Sequence, residues 1–164
     1  VNPDMKKNPI KKLLFVIFGC VVGLTACVRM DYYEKSEVMP GHEWSSNNPV
    51  TGSFEITDTL TGYNIFLVLR HTDAYRYNNI WVQVDLKSPA DSLYSQRLDL
   101  SLGSDAAGWE GSGMNDIWEV RKRLTANAQS FKTAGKYEYR LKQIMREDPL
   151  RHVMAVGLRV QKQE

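Results

Sequence analysis

The densest group of side chains able to do chemistry is Arg70-His71-Thr72-Asp73-Ala74-Tyr75-Arg76-Tyr77. A histidine two residues from an aspartate suits two tasks. The pair could hold a metal ion, or it could pass a proton, since imidazole titrates near neutrality and a carboxylate can orient it. The same residues also suit a structured loop, in which His71 and Asp73 bond backbone groups while Tyr75 and Tyr77 cap the edge of a sheet. The loop reading is preferred. The sequence holds three histidines, His42, His71 and His152, and none has the i, i+4 spacing of a helical zinc site. No metal ligand set is assigned.

A second polar run is Met145-Arg146-Glu147-Asp148-Pro149-Leu150. Arg146 could pair with Asp148, or its guanidinium could clamp a carboxylate or phosphate. The local ion pair is the preferred reading. Gly108-Trp109-Glu110-Gly111-Ser112-Gly113 lacks the lysine of a phosphate loop and the Gly-x-Ser-x-Gly spacing of a nucleophile elbow. Its glycines fit a bulge or a tight turn around Trp109. Trp44, Trp81, Trp109 and Trp118 could stack on sugars, with Trp81 the best exposed of the four. The preferred alternative is an indole that covers a sheet face or meets a protein. No catalytic residue is assigned, and the chain is expected not to be an enzyme.

The elements that must carry these groups are strands. Ile80, Val82, Val84 and Leu86 alternate with Trp81, Gln83, Asp85 and Lys87, the period of a sheet with one face in a core. Tyr63, Ile65, Leu67 and Leu69 form another stripe, and Phe66 and Val68 make the opposite face of that segment apolar too. Tyr137, Tyr139 and Leu141 alternate with charge, as do Met154, Val156, Leu158 and Val160 with Arg159 and Gln161. About eight strands are predicted, near 52–60, 63–70, 79–87, 93–101, 107–110, 116–124, 136–144 and 153–161. Only 124–132 and 144–150 suit a helical turn. The predicted fold is all-β, an antiparallel, jelly-roll-like β-sandwich over 50–164.

The N-terminal region has a different character. Lys6, Lys7, Lys11 and Lys12 precede an uncharged apolar run, Leu13 to Gly23. That run is shorter than the roughly 20 residues a helix needs to cross a bilayer. It ends in Leu24-Thr25-Ala26-Cys27, small residues before a cysteine, as at a secretory cleavage site. Those four residues resemble the lipobox of bacterial lipoproteins. The resemblance implies diacylglycerol on the Cys27 thiol, cleavage before it and acylation, for example by palmitate, of the new amine. More than one acyl chain is what stable anchoring needs. Met5 is the expected start. The expected organisation is a removed signal at 1–26, a lipid-anchored tether at 27–49 and the sandwich from 50 onward. Cys20 leaves with the signal, so no disulfide is expected in the processed chain, and the lipid on Cys27 is the only expected cofactor. Loss of the leader's four lysines and Asp4 moves the formal net charge from +2 to −1. There is thus no electrostatic case for nucleic acid. Asp58-Thr59-Leu60 and Asp91-Ser92-Leu93 resemble a short O-glycosylation motif of exported Bacteroidetes proteins.

Three segments together carry a family resemblance. They are Tyr63 to Asp73 with Tyr75-Arg76-Tyr77-Asn78-Asn79-Ile80-Trp81; then Gly108 to Gly113; then Gln143 to Leu150 leading into Val156-Gly157-Leu158-Arg159-Val160. In this order, after a lipobox, they resemble the GldH gliding-motility lipoproteins of Bacteroidetes, from Cys27 nearly to the C-terminus. The resemblance implies an envelope lipoprotein beside a motility apparatus linked to protein secretion, with other envelope proteins as partners and no enzymatic activity. Val28-Arg29-Met30-Asp31 does not resemble the lysine-and-acidic export signal after some lipidated cysteines, so the periplasmic face of the outer membrane is the expected location. The expected contact residues are Arg70, His71, Asp73, Tyr75, Tyr77, Trp81, Trp109, Arg146 and Asp148. The rival expectation is a carbohydrate- or peptidoglycan-binding module that uses Trp81. A hydrolase would need a nucleophile–base pair or two facing carboxylates, and no motif suggests either.

Overall fold

The computed structural model describes residues 32–163. Cys27 and the leader lie outside the described residues. Strands dominate, and the one helical turn among the described residues is a 3-10 turn at Pro40–His42. In chain order the strands are β1 (Tyr32–Val38), β2 (Glu43–Trp44), β3 (Val50–Ile56), β4 (Gly62–Thr72), β5 (Asn79–Lys87), β6 (Leu93–Ser101) and β7 (Gly103–Ser104). They continue with β8 (Gly108–Trp109), β9 (Ser112–Met114), β10 (Ile117–Arg123), β11 (Gln129–Ser130), β12 (Gly135–Gln143), β13 (Leu150–Arg151) and β14 (Val153–Lys162).

Two antiparallel sheets form the sandwich. The larger runs β1-β14-β4-β10-β9, with β11 also pairing β4; the smaller runs β3-β12-β5-β6. Two short ladders, β2 with β13 and β7 with β8, complete the pairing. The predicted all-β sandwich is therefore the fold, and each of the eight expected strands is present. No helical turn forms at 124–132 or 144–150. The first holds β11 instead, and the second is a bent loop.

The inward stripes are those the period-two pattern demands. Tyr63, Ile65, Leu67 and Leu69 of β4 meet Phe54, Ile80, Val82, Tyr137, Tyr139 and Leu141 of the other sheet in one buried cluster. Each fully buried side chain of this size contributes roughly 1.5–3 kcal/mol. On β14 the register slips between Val153 and Ala155. This bulge lets Val153 and Val156, three apart, both sit at 0% exposure.

The expected tether is corrected from residue 32 onward. β1 pairs along its whole length with β14, from Tyr32 opposite Gln161 to Val38 opposite Ala155. Met39 and Trp44 are 1% and 0% exposed, and Trp44 stands opposite the buried Leu150. The domain therefore takes in the segment expected to precede it. β1 shows no apolar alternation because it is an edge strand held by backbone pairing, with most of its side chains in solvent.

Candidate functional site

The connections after β2, β4, β7 and β12 gather at one end of the sandwich. Hydrogen bonds tie those after β2, β4 and β12 together and to neighbouring strand ends, and Trp109, just past the β7 connection, packs on the group. The Thr72 N–H donates to His152 O at 3.1 Å, and the Ile144 N–H donates to Trp81 O at 3.0 Å. The Tyr77 hydroxyl donates to Glu147 Oε2 at 2.9 Å, which joins the 73–78 and 144–149 loops directly. That bond raises the Tyr77 pKa, with burial adding to it.

Gln143 is the hub of this end. It follows Tyr137, Tyr139 and Leu141 on the inward stripe of β12, and it is 0% exposed. Its amide nitrogen reaches Trp44 O, Glu147 O and Asp148 Oδ1 at 3.2–3.4 Å, while its oxygen accepts from the Met145 N–H at 2.8 Å. Asp148 in turn accepts from the Ser46 N–H at 2.8 Å and from the Ser46 hydroxyl. The Ser46 hydroxyl and amide, with help from Gln143, hold the Asp148 carboxyl below its usual range. The expected Arg146–Asp148 pair does not form. Asp148 is taken up in fixing the loop, and Arg146 projects exposed.

His71 and Asp73 do not act as a pair. His71 is wholly buried, with its ring 4.7 Å from Trp109 and 5.4 Å from Tyr75. Its Nδ1–H donates to Thr72 O at 2.8 Å, which fixes the tautomer and leaves Nε2 bare of any hydrogen bond. Burial pushes the His71 pKa down, and the bond to Thr72 only partly opposes this. Asp73 is exposed, and its backbone N–H donates to Asp116 O at 2.8 Å. Among the described residues no group of three or more histidine, cysteine, aspartate or glutamate side chains is placed to hold a metal ion.

Tyr75 was expected at the sheet edge and instead is core. It is 3% exposed, packs edge-on against Tyr77 and donates to Asn79 O at 3.1 Å. Burial moves its hydroxyl pKa well above the ordinary tyrosine value. Tyr77, half-buried, and Trp109 complete the aromatic group. A concavity of about 200 Å³ opens over this group between the 73–78 and 103–109 segments, lined by Tyr75, Arg76, Tyr77, Asp105 and Trp109 among others.

The remaining expected contact residues lie elsewhere. Arg70 is on the outer face of the larger sheet, 2.7 Å from Glu119, which also pairs with Arg121 at 2.8 Å. Trp81 is 42% exposed on the outer face of the smaller sheet. Its backbone N–H donates to Met145 Sδ at 3.2 Å, so it borders the loop end. Trp44 is fully buried and Trp118 half-buried against Gly113, which removes Trp44 as a sugar platform. Gly111 has φ +93, and a Cβ there would meet Glu119 O at 2.2 Å, a close approach that explains the glycine. Reading the sequence missed Gln143, Glu147, Ser46 and the open Arg76. The available signal was Gln143 itself, a polar residue at the next inward step of an apolar stripe.

Comparison with known proteins places the chain. The GldH lipoprotein family model matches residues 31–160. The gliding motility lipoprotein GldH homolog of Christiangramia forsetii is 24% identical over 158 residues, covering 92% of this chain and 96% of that protein. The gliding motility lipoprotein GldH of Flavobacterium johnsoniae is 25% identical over 131 residues, covering 76% of this chain and 80% of its own length. The family match begins one residue before β1, so the edge strand lies within the matched region as well as in the fold. With the matched region running from β1 into β14, the chain belongs to the GldH lipoprotein family.

Proposed function

We propose that this chain is a lipid-anchored, non-enzymatic envelope component that acts by protein contact within an assembly for gliding motility or the secretion linked to it. The relatives carry the name gliding motility lipoprotein, which supports the setting. The anchor is lipid on Cys27, and the periplasmic face of the outer membrane is the proposed location. The observation that carries the contact role is the loop end itself. The connections after β2, β4 and β12 are tied to one another by hydrogen bonds through Ser46, Tyr77, Gln143, Glu147 and Asp148, and Arg76 and Arg146 stand exposed beside them. Small-molecule sites usually enclose roughly 300–1,000 Å³. The concavity of about 200 Å³ beside Arg76 suits one inserted side chain of a protein partner better. Arginine beside tyrosine and tryptophan is the composition of interface hot spots.

The test uses the full chain. Arg76→Ala with Arg146→Ala should lower recovery of co-purifying envelope proteins roughly tenfold, with an unchanged melting curve. Unchanged recovery would remove the loop end from the account. Cys27→Ala should move the protein from the membrane to the soluble fraction, and retention in the membrane would contradict the lipid anchor.

A second reading rests on the smaller sheet's outer face, where Trp81 is exposed and a shallow hollow of about 430 Å³ lies over Asp85, Lys87, Glu138 and Arg140. This reading is carbohydrate or peptidoglycan binding, and Trp81→Ala should abolish any glycan affinity. Burial pushes the Asp85 pKa up, but hydrogen bonds from Ser95 and Gln83 and the charges of Arg140 and Lys142 outweigh it and hold it below the ordinary value. Asp85 is thus ionised at neutral pH and unsuited to act as the proton donor of a glycosidase pair.

A further inference from the structure

The smaller sheet ends at β6, and nothing pairs with its outer edge among the described residues. At one end of the β5–β6 ladder the Leu102 N–H donates to Asn78 O, and at the other the Ser88 N–H donates to Ser92 O. Alternation between these points turns the even-numbered backbone groups of β6 toward β5. The N–H and C=O of Leu93, Ser95, Arg97, Asp99 and Ser101 therefore face away, a row of unpaired donors and acceptors nine residues long.

Natural proteins usually guard such an edge with charge, a bulge or short length. The two edges of the larger sheet show this. β9 has three residues, and β1 presents Lys35 and Glu37 to solvent. β6 is nine residues long with no bulge, and beside the exposed Arg97 and Asp99 it leaves Leu93 68% and Tyr94 56% exposed. Its inward side chains Tyr94, Gln96 and Leu98 border an apolar slot of about 40 Å³ that opens between the two sheets, backed by Ile65 and Leu124.

The charges on this edge say what fits it. In an antiparallel pair of two copies with the two-fold axis at Leu98, Arg97 of each copy stands opposite Asp99 of the other. Ser95 then faces Ser101, and the two Leu98 side chains meet on the inner side over the joined slots. The free backbone groups are on the odd-numbered residues, so Arg97 and Asp99 would exchange both N–H···O bonds. Shifting the axis to Arg97 places two arginines face to face, which is unfavourable. We infer that β6 pairs antiparallel with β6 of a second copy of this chain in this one register, joining two smaller sheets into an eight-stranded sheet across the axis.

The test is disulfide trapping of the full-length chain in membranes. Across this axis the two Leu98 Cα atoms would lie about 4.5 Å apart, within disulfide reach. Leu98→Cys should give a covalent dimer on mild oxidation, and the parent chain should not. A chain carrying Ser95→Cys and Ser101→Cys, both exposed and outside the core, should also cross-link, because those positions face each other only in this register. Adding Arg97→Asp should lower both yields roughly tenfold, and Arg97→Asp with Asp99→Arg should restore them. Absence of a dimer from both cysteine designs would overturn the inference. So would a dimer from Arg97→Cys stronger than that from Leu98→Cys, or yields indifferent to charge reversal.

Discussion

The two flanks of the sandwich are finished differently. Where β1 of one sheet meets β3 of the other, rings fill the seam. Tyr33 lies 5.9 Å from Phe54 and 6.3 Å from Tyr139, and its hydroxyl is hydrogen-bonded to that of Tyr139 at 3.2 Å. Phe54 stacks on Tyr137 at 5.7 Å, and Phe131 closes on both. On the opposite flank, β6 leaves an apolar slot open and its own tyrosine in water. The same fold thus has one seam sealed by its own side chains and one that a second chain could seal. Both edge strands carry a tyrosine, and the difference lies in what it meets: Tyr33 packs on Phe54 and Tyr139, whereas Tyr94 stands in solvent.

The largest effect is expected at the sealed seam. Phe54→Ala should cost roughly 3–5 kcal/mol, read from urea unfolding, because four aromatic neighbours lose their partner. A cost under about 1 kcal/mol would break the comparison. Gly157→Ala should cost roughly 1–3 kcal/mol. A Cβ there would come within 2.3 Å of Lys35 O and Ser36 Oγ and would push β1 off the sheet.

Between pH 5 and 7 acidification acts at the loop end, through His71. An unfolded His71 gains its proton near 6.5, and the buried one only at lower pH. Between those values the unfolded chain holds more protons, so stability falls as pH drops below 6.5 and returns above it. Unfolding midpoints across pH 5–7 should show this slope, and His71→Phe should flatten it. Carboxylates held below their ordinary range, such as Glu110 beside Lys122, give up stability only below about pH 4.5. The smallest effect belongs to the open flank, where Tyr94→Ala should alter monomer stability by no more than about 0.5 kcal/mol.

Strands with a regular apolar stripe were legible in the sequence, and 79–87 and 93–101 coincide with β5 and β6. β1 was not, because an edge strand held by backbone bonds needs no apolar alternation. β2, β7 and β13 were not, because two residues show no period, and although a strand at 107–110 was expected, its pairing with β7 was not. The bulge at Val153/Ala155 reverses the face of β14, so Met154 was misassigned to the stripe that begins in earnest at Val156. In the candidate site the sequence located both loops, but chain distance hid their meeting. Tyr77 and Glu147 are 70 residues apart, and Ser46 and Asp148 are 102 apart. Tyr75 reads as a loop residue by its neighbours, and only the packing against His71 and Trp109 shows it to be core.

Site-specific photocrosslinking in membranes tests the contact role most directly. A photoreactive residue placed at Asp73, Arg76 or Arg146 should capture envelope proteins, while the same residue at Glu55 or Lys136, exposed on the smaller sheet, should capture little. Capture from Glu55 and Lys136 with none from the three loop positions would contradict the account.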